Sequence, residues 1–224
     1  ETRSSKLQIT GSKSETNRLL LLQALYPNLI LENTSNSDDS EVMMKALQNS
    51  ELGTRNSELI DVHHAGTAMR FLTAFLGIQN GNFLLTGTER MKHRPIGILA
   101  ESLKSIGGNI SYTENEGFPP LQILGPFEQT NREVKIKGDI SSQYISALLL
   151  IAPKLEQGLN LVIEGELTSK PYVQMTLAMM EQAGIRHTWA DNVISIAKQP
   201  FDKSVINVEP DWSAASYWYA IAAL

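Results

Sequence analysis

The chain has 224 residues, 42% of them hydrophobic, which is enough for a real core in one large domain or two small ones. Its net charge of −5 gives no global pull toward nucleic acid or anionic membrane, so any basic cluster must act locally. With no cysteine, it can hold no disulfide, thiolate metal site or cysteine nucleophile, and this fits a reducing compartment.

No apolar run reaches the roughly 18–20 residues of a membrane span, and the opening "ETRSSK" has no apolar core of a signal peptide. His63, His64, His93 and His187 form no i, i+4 pair of the metal-binding kind, so no metal site is expected.

The first element is "GSKSETNRLLLLQAL", small polar residues running into an apolar helix. A strand, "NLILENT", and a second helix, "DDSEVMMKALQN", follow. The shape returns at "HAGTAMRFLTAFLG", with strand "GNFLLTG", basic stretch "ERMKHRP", helix "RPIGILAESLKSIGG" and strands "NISYT" and "LQILG". A third round reads "EVKIKG", "DISSQYISALLLIAP", "NLVIEG", "SKPYVQMTLAMMEQAG" and "NVISIAK", and "VINVEP" and "DWSAASYWYAIAAL" close the chain. Polar helix starts therefore recur near Ser12, Gly66, Ser141 and Ser213. Pro95 and Pro171 open the second helices of the later rounds, and Gly107 and Gly184 end them.

The patterning separates two architectures. A doubly wound fold has strands buried on both faces and amphipathic helices. Here "EVKIKG" alternates, with Val134 and Ile136 on one face and Glu133, Lys135 and Lys137 on the other, as a half-solvated strand does. The first helix of each round is apolar nearly all round, the mark of a buried helix. The sheets should lie outside and helices inside, in three repeats of two helices and about four strands. The last helix has nothing after it in this sequence to cover Tyr217, Trp218, Tyr219 and Ile221; either it docks on the third round or, as expected here, another half continues from it.

Helix N-termini present free N–H groups and partial positive charge, which suits phosphate. Ser14, Ser141, Ser142 and Ser169 lie at or near such starts; helix capping alone explains any one of them. Cations gather at the same places. Lys13 and Arg18 lie in the first round, Arg70 follows "HAGT", Arg90, Lys92 and Arg94 precede a second helix, and Lys170 follows Ser169. A P-loop is excluded: Ser12, not glycine, precedes Lys13, and Leu7 holds the earlier glycine position. Gly66 and Thr67 form a turn where backbone can approach a ligand, or a plain helix cap.

Six segments, "GSKSETNR", "AGTAMR", "LTGTERMKHRPIG", "GDISSQY", "SKPY" and "DWSAAS", in that order and across nearly the whole chain, closely resemble the 5-enolpyruvylshikimate-3-phosphate synthase (EPSP synthase) family. The resemblance implies an α/β enolpyruvyl transferase fold: an inside-out α/β barrel lobe of three βαβαββ repeats with buried helices and outer sheets. It implies an N-terminal lobe over residues 8–208, and a crossover over 209–224 that starts a second lobe. The implied reaction moves the enolpyruvyl group of phosphoenolpyruvate to shikimate 3-phosphate with release of phosphate, without cofactor or metal.

By the same resemblance Lys13 reaches both substrates, and Ser14 and Arg18 hold the shikimate moiety. Ser141, Ser142 and Ser169 bind its phosphate, with Tyr172 packed nearby and Gln143 between the ligands. Gly66, Thr67 and Arg90 line the phosphoenolpyruvate pocket. The implied protein is cytoplasmic and monomeric, binds neither nucleic acid nor membrane, and works with its own second lobe. That lobe would supply the proton-transfer acid, so this chain alone should be inactive. The pattern departs from the family at Thr10, where proline is usual, at His64, where asparagine is usual, and at Pro210, where glycine is usual. The segment before "HAGT" is short, as a trimmed hairpin would be. Two other readings compete. One is an enolpyruvyl transferase acting on UDP-N-acetylglucosamine, against which "GSKSETNR" and the lack of cysteine count. The other is a non-catalytic anion-binding lobe.

Overall fold

The computed structural model describes residues 8–49, 58–200 and 205–223. Helix α1 (Lys13–Leu25) leads to strand β1 (Ile30–Glu32) and helix α2 (Asp38–Asn49). The second round is β2 (Glu58–Asp61), α3 (Gly66–Gly77), β3 (Gly81–Thr86), a short α4 (Glu89–Lys92), α5 (Gly97–Lys104), β4 (Asn109–Tyr112) and β5 (Leu121–Gly125). The third is β6 (Glu133–Lys137), α6 (Ser142–Ile151), β7 (Leu159–Glu164), α7 (Lys170–Gln182), β8 (Thr188–Ala190) and β9 (Val193–Ile196), before β10 (Val205–Asn207) and α8 (Trp212–Ala222).

The second and third rounds have one topology. Their sheets run β2-β3-β5-β4 and β6-β7-β9-β8, the first pair of each parallel and the rest antiparallel. The first round is completed from the far end of the chain. β10 lies parallel to β1, with Ile30 opposite Val205, as β2 lies beside β3 and β6 beside β7. Asn33 Nδ2 donates to the Val208 carbonyl at 2.9 Å, and an antiparallel bridge joins Gly11 to Pro210. The expected hairpin before "HAGT" falls on residues 50–57, outside the described residues.

Burial follows the predicted inversion. Strand β6 alternates exposed and buried, so this sheet walls the lobe with one wet face. The long apolar helices fill the interior: residues 16–22 of α1 are buried without a break. In α3 every residue but Thr67 is buried, and in α6 every residue but Gln143. Such helices have no polar face to offer water, so the sheets must enclose them. α3 packs on α6, α6 on α7, and α1 on α2 and α7. α8 has no buried residue. Its N-cap is Asp211, which accepts from Ser213 N at 2.9 Å and Ala214 N at 3.1 Å.

Candidate functional site

Each parallel strand delivers a helix at its carboxyl end: α2 after β1, α3 after β2, α4 and α5 after β3, α6 after β6, α7 after β7. Open α/β sheets bind ligands at that end. Side chains tie the starts together here. The two residues that escape burial on α3 and α6 meet, Gln143 Nε2 donating to Thr67 Oγ1 at 2.9 Å. Lys13 Nζ lies 3.6 Å from Asp39 Oδ2, and His64 Nε2 lies 3.9 Å from the other oxygen of the same carboxylate. Asp39 thus joins the starts of α1, α2 and α3.

Arg18 is the most telling residue. It is 3% exposed, one turn into α1. Its Nε donates to Thr176 Oγ1 at 2.8 Å, Nη1 to the Ser14 carbonyl at 2.8 Å and Nη2 to Ser146 Oγ at 3.3 Å. The Phe71 ring centroid is 5.4 Å from its guanidinium carbon. All of these partners are neutral. No carboxylate among the described residues forms an ion pair with it, and burial pulls its pKa down to about 10. Asn17, beside it, is fully buried, and neither side-chain amide atom has a hydrogen-bond partner among the described residues.

A second cationic group surrounds the start of α3. Arg70 is 5% exposed; its Nη1 donates to the Gly66 carbonyl at 2.9 Å and its Nη2 to the Pro95 carbonyl at 3.5 Å, while its buried Nε has no partner among the described residues. Burial and the neighbouring Arg94 charge lower its pKa. A Cβ at Gly66 would lie 2.1 Å from Arg94 Nη1, so glycine is what lets this guanidinium reach the helix start. Arg94, Arg90, His64, Thr88 and Met91 line one pocket of about 370 Å³. Arg90 and Arg94 form no ion pair among the described residues, whereas Lys92 is taken by Glu89 at 3.2 Å and Glu114 at 2.9 Å.

The serines divide. Ser141 caps α6, accepting from Gln143 N at 3.4 Å, so its capping role is real. Ser169 holds the cap position of α7 without a side-chain cap bond, and Ser142 is buried in the first turn of α6. Tyr172 is 49% exposed on the first turn of α7, and its carbonyl accepts from Thr176 Oγ1 at 2.9 Å. Pattern reading missed Ser146, Thr176 and Asp39. The signal for the first two is a hydroxyl residue inside an otherwise apolar helical run.

Comparison with known proteins supplies an independent line. A family model described as EPSP synthase (3-phosphoshikimate 1-carboxyvinyltransferase) matches residues 50–224. A 3-phosphoshikimate 1-carboxyvinyltransferase of Bacteroides fragilis is 49% identical over 220 residues, covering 97% of this chain and 52% of the relative. One from a Shewanella species is 39% identical, covering 98% of this chain and 57% of its own length. The chain therefore spans about half the length of the curated relatives it matches. A solved EPSP synthase from Acinetobacter baumannii superposes with a TM-score of 0.76 at 20% identity, over 96% of this chain and 52% of that one.

Proposed function

The chain belongs to the EPSP synthase family, and we propose that it carries one half of an enolpyruvyl-transfer site, the half that holds shikimate 3-phosphate. In this reading residues 8–208 form one lobe and residues 209–224 cross toward a second. Arg18 and Ser14 take the shikimate moiety. Ser141, Ser142 and Ser169 take its phosphate, at two helix starts where N–H groups and dipole favour an anion. Tyr172 packs beside it. Gly66, Thr67 and Arg90 face phosphoenolpyruvate, while Lys13 and Gln143 stand between the ligands. The 5-hydroxyl adds to C2 of phosphoenolpyruvate as C3 takes a proton, and the tetrahedral intermediate then expels phosphate. The contribution of this chain is fixed donors around charge that is already in place, which costs no reorganisation at the moment of reaction. The proton-transfer acid and further phosphoenolpyruvate cations come from the second lobe.

The observation that carries this reading is Arg18, a buried cation whose hydrogen-bond partners are all neutral and which no described carboxylate pairs with directly, so that its charge is left for a ligand. The gathering of Arg90 and Arg94 at Gly66 supports the second anion pocket. Phosphate release by the full-length protein, given phosphoenolpyruvate and shikimate 3-phosphate, tests the reaction. Release that needs shikimate 3-phosphate is expected. Release with UDP-N-acetylglucosamine instead, or none with either acceptor, would overturn it. The reading includes a cytoplasmic monomer whose half-site is completed by its own second lobe, for which the half-length match to the relatives leaves room. Light scattering reads the mass.

A further inference from the structure

The third sheet has a second polar end. β6 and β7 deliver α6 and α7 from their carboxyl ends; their amino ends, at Glu133 and Leu159, lie about five residues away along the strands, roughly 16 Å. A cleft of about 480 Å³ opens there, lined by Arg132, Arg186, His187 and Lys198 with Asn160 and Ser195 between them. Among the described residues no carboxylate lines it. Lys198 is paired with Glu156 from outside the cleft, and His187 Nδ1 lies 3.5 Å from Glu181 Oε1, within ion-pair reach but without a hydrogen bond. Arg132 and Arg186 have no ion-pair partner among the described residues, so the cleft keeps a surplus of positive charge on a chain of net charge −5.

Arg132, Arg186 and Lys198 are exposed; a neutral side chain holds the Arg132 guanidinium, and Arg186 is held through its backbone. With the Asn160 amide oriented to satisfy both its ends, its oxygen accepts from Arg132 Nε at 3.0 Å and Nη2 at 2.9 Å, and its nitrogen donates to Ser195 Oγ at 3.0 Å. That neutral acceptor fixes the guanidinium plane and leaves its charge unspent. Arg186 sits on a clamped backbone. Its N–H donates to Gln199 Oε1 at 2.8 Å, and its carbonyl accepts from Gln199 Nε2 at 2.8 Å. Gln199 is in turn tied to the end of α1, its carbonyl accepting from the Tyr26 hydroxyl at 3.2 Å. Guanidinium forks match the oxygens of phosphate and carboxylate groups in two-point contacts. The volume lies in the range of small-metabolite sites.

We propose that this cleft is a binding site for a small metabolite anion carrying phosphate or carboxylate groups, separate from the helix-start site at the other end of the sheet. Amide NMR of the full-length protein tests it, with inorganic phosphate in one titration and citrate in another, both at physiological salt. Saturable shifts at the amides of Arg186, Ser195 and Gln199 are expected in at least one titration, and the one that saturates names the anionic group. Arg132→Gln with Arg186→Gln should weaken that binding at least about tenfold, two forks being lost. Ser195→Glu, which puts a carboxylate on the floor of the cleft, should do the same and serves if the double variant fails to fold. No saturable shift in either titration, or shifts that persist in the variants, would overturn the proposal.

Discussion

At the scale of single residues, the unliganded protein bears a cost at Arg18. Glu15 interacts with this charge through space but forms no ion pair with it; a buried charge so weakly compensated destabilises a fold, and an apolar replacement of similar volume is often neutral or better. Thr176 and Ser146 would still bond each other at 2.8 Å, and Thr176 would keep the Tyr172 carbonyl. Arg18→Met should therefore leave the thermal unfolding midpoint of the ligand-free protein unchanged or raised. A drop of several degrees, followed by circular dichroism, would contradict this account. Glu15 shows a milder cost. Burial raises its carboxyl pKa above the usual 4.5, although its Oε2 accepts from Glu209 N at 3.1 Å. Its folded-state pKa lies above its unfolded value, so folding takes up protons between the two, and stability is lost as pH rises through the raised value. Glu15→Gln keeps an acceptor for Glu209 and removes the titration. The variant should unfold at a higher temperature than the parent at pH 7, and at the same temperature below the carboxylate range. The placement of Lys13 and Arg18 ahead of a run of leucines was legible in the chain, and it is the ground on which a ligand is proposed there. The neutral cradle of Arg18 was not, because Ser146 and Thr176 lie 128 and 158 residues away in sequence.

At the scale of elements, two glycines mark close approaches with different consequences. At Gly66 the nearest obstacle to a Cβ is the tip of Arg94, a flexible side chain at 2.1 Å. Gly66→Ala should move that guanidinium without unfolding α3. Affinity for phosphoenolpyruvate should then fall about tenfold or more while affinity for shikimate 3-phosphate is kept, which separate KM values would show. At Gly11 the obstacle is backbone, the Asn33 carbonyl at 1.9 Å, with Val208 behind it. Gly11→Ala must part the junction that holds β10 against β1, and should cost about 1–3 kcal/mol in chemical denaturation, as overpacking does. Helix punctuation by Pro171, Gly107 and Gly184 could be read from the chain. Short elements could not: β2 and β8 have only four and three residues, too few for alternation to show, and α4 is a single turn inside "ERMKHRP". The end of the chain closing the first repeat through β10 was also hidden, since "VINVEP" reads as any edge strand.

At the scale of the whole molecule, the inverted architecture was legible because it reverses the usual assignment of greasy strands and two-faced helices. The alternation of "EVKIKG" and the uniformly apolar "SALLLIA" need sheets outside and helices inside, and the structure has that order. All the helix starts then share one end, so phosphate-binding potential arises there from topology before any side chain is added. In the proposed function that end is one wall of a site whose other wall is a second lobe. The 224-residue chain by itself should accordingly bind shikimate 3-phosphate weakly and release no phosphate from phosphoenolpyruvate; robust turnover by it would contradict the half-site account.

The most direct test of the central claim is a calorimetric titration of shikimate 3-phosphate into the full-length protein and its Arg18→Met variant. Leaving a bound anion without its buried partner costs about 2–5 kcal/mol, so the account predicts a loss of affinity of about thirtyfold or more. Equal affinity in the two proteins would contradict it.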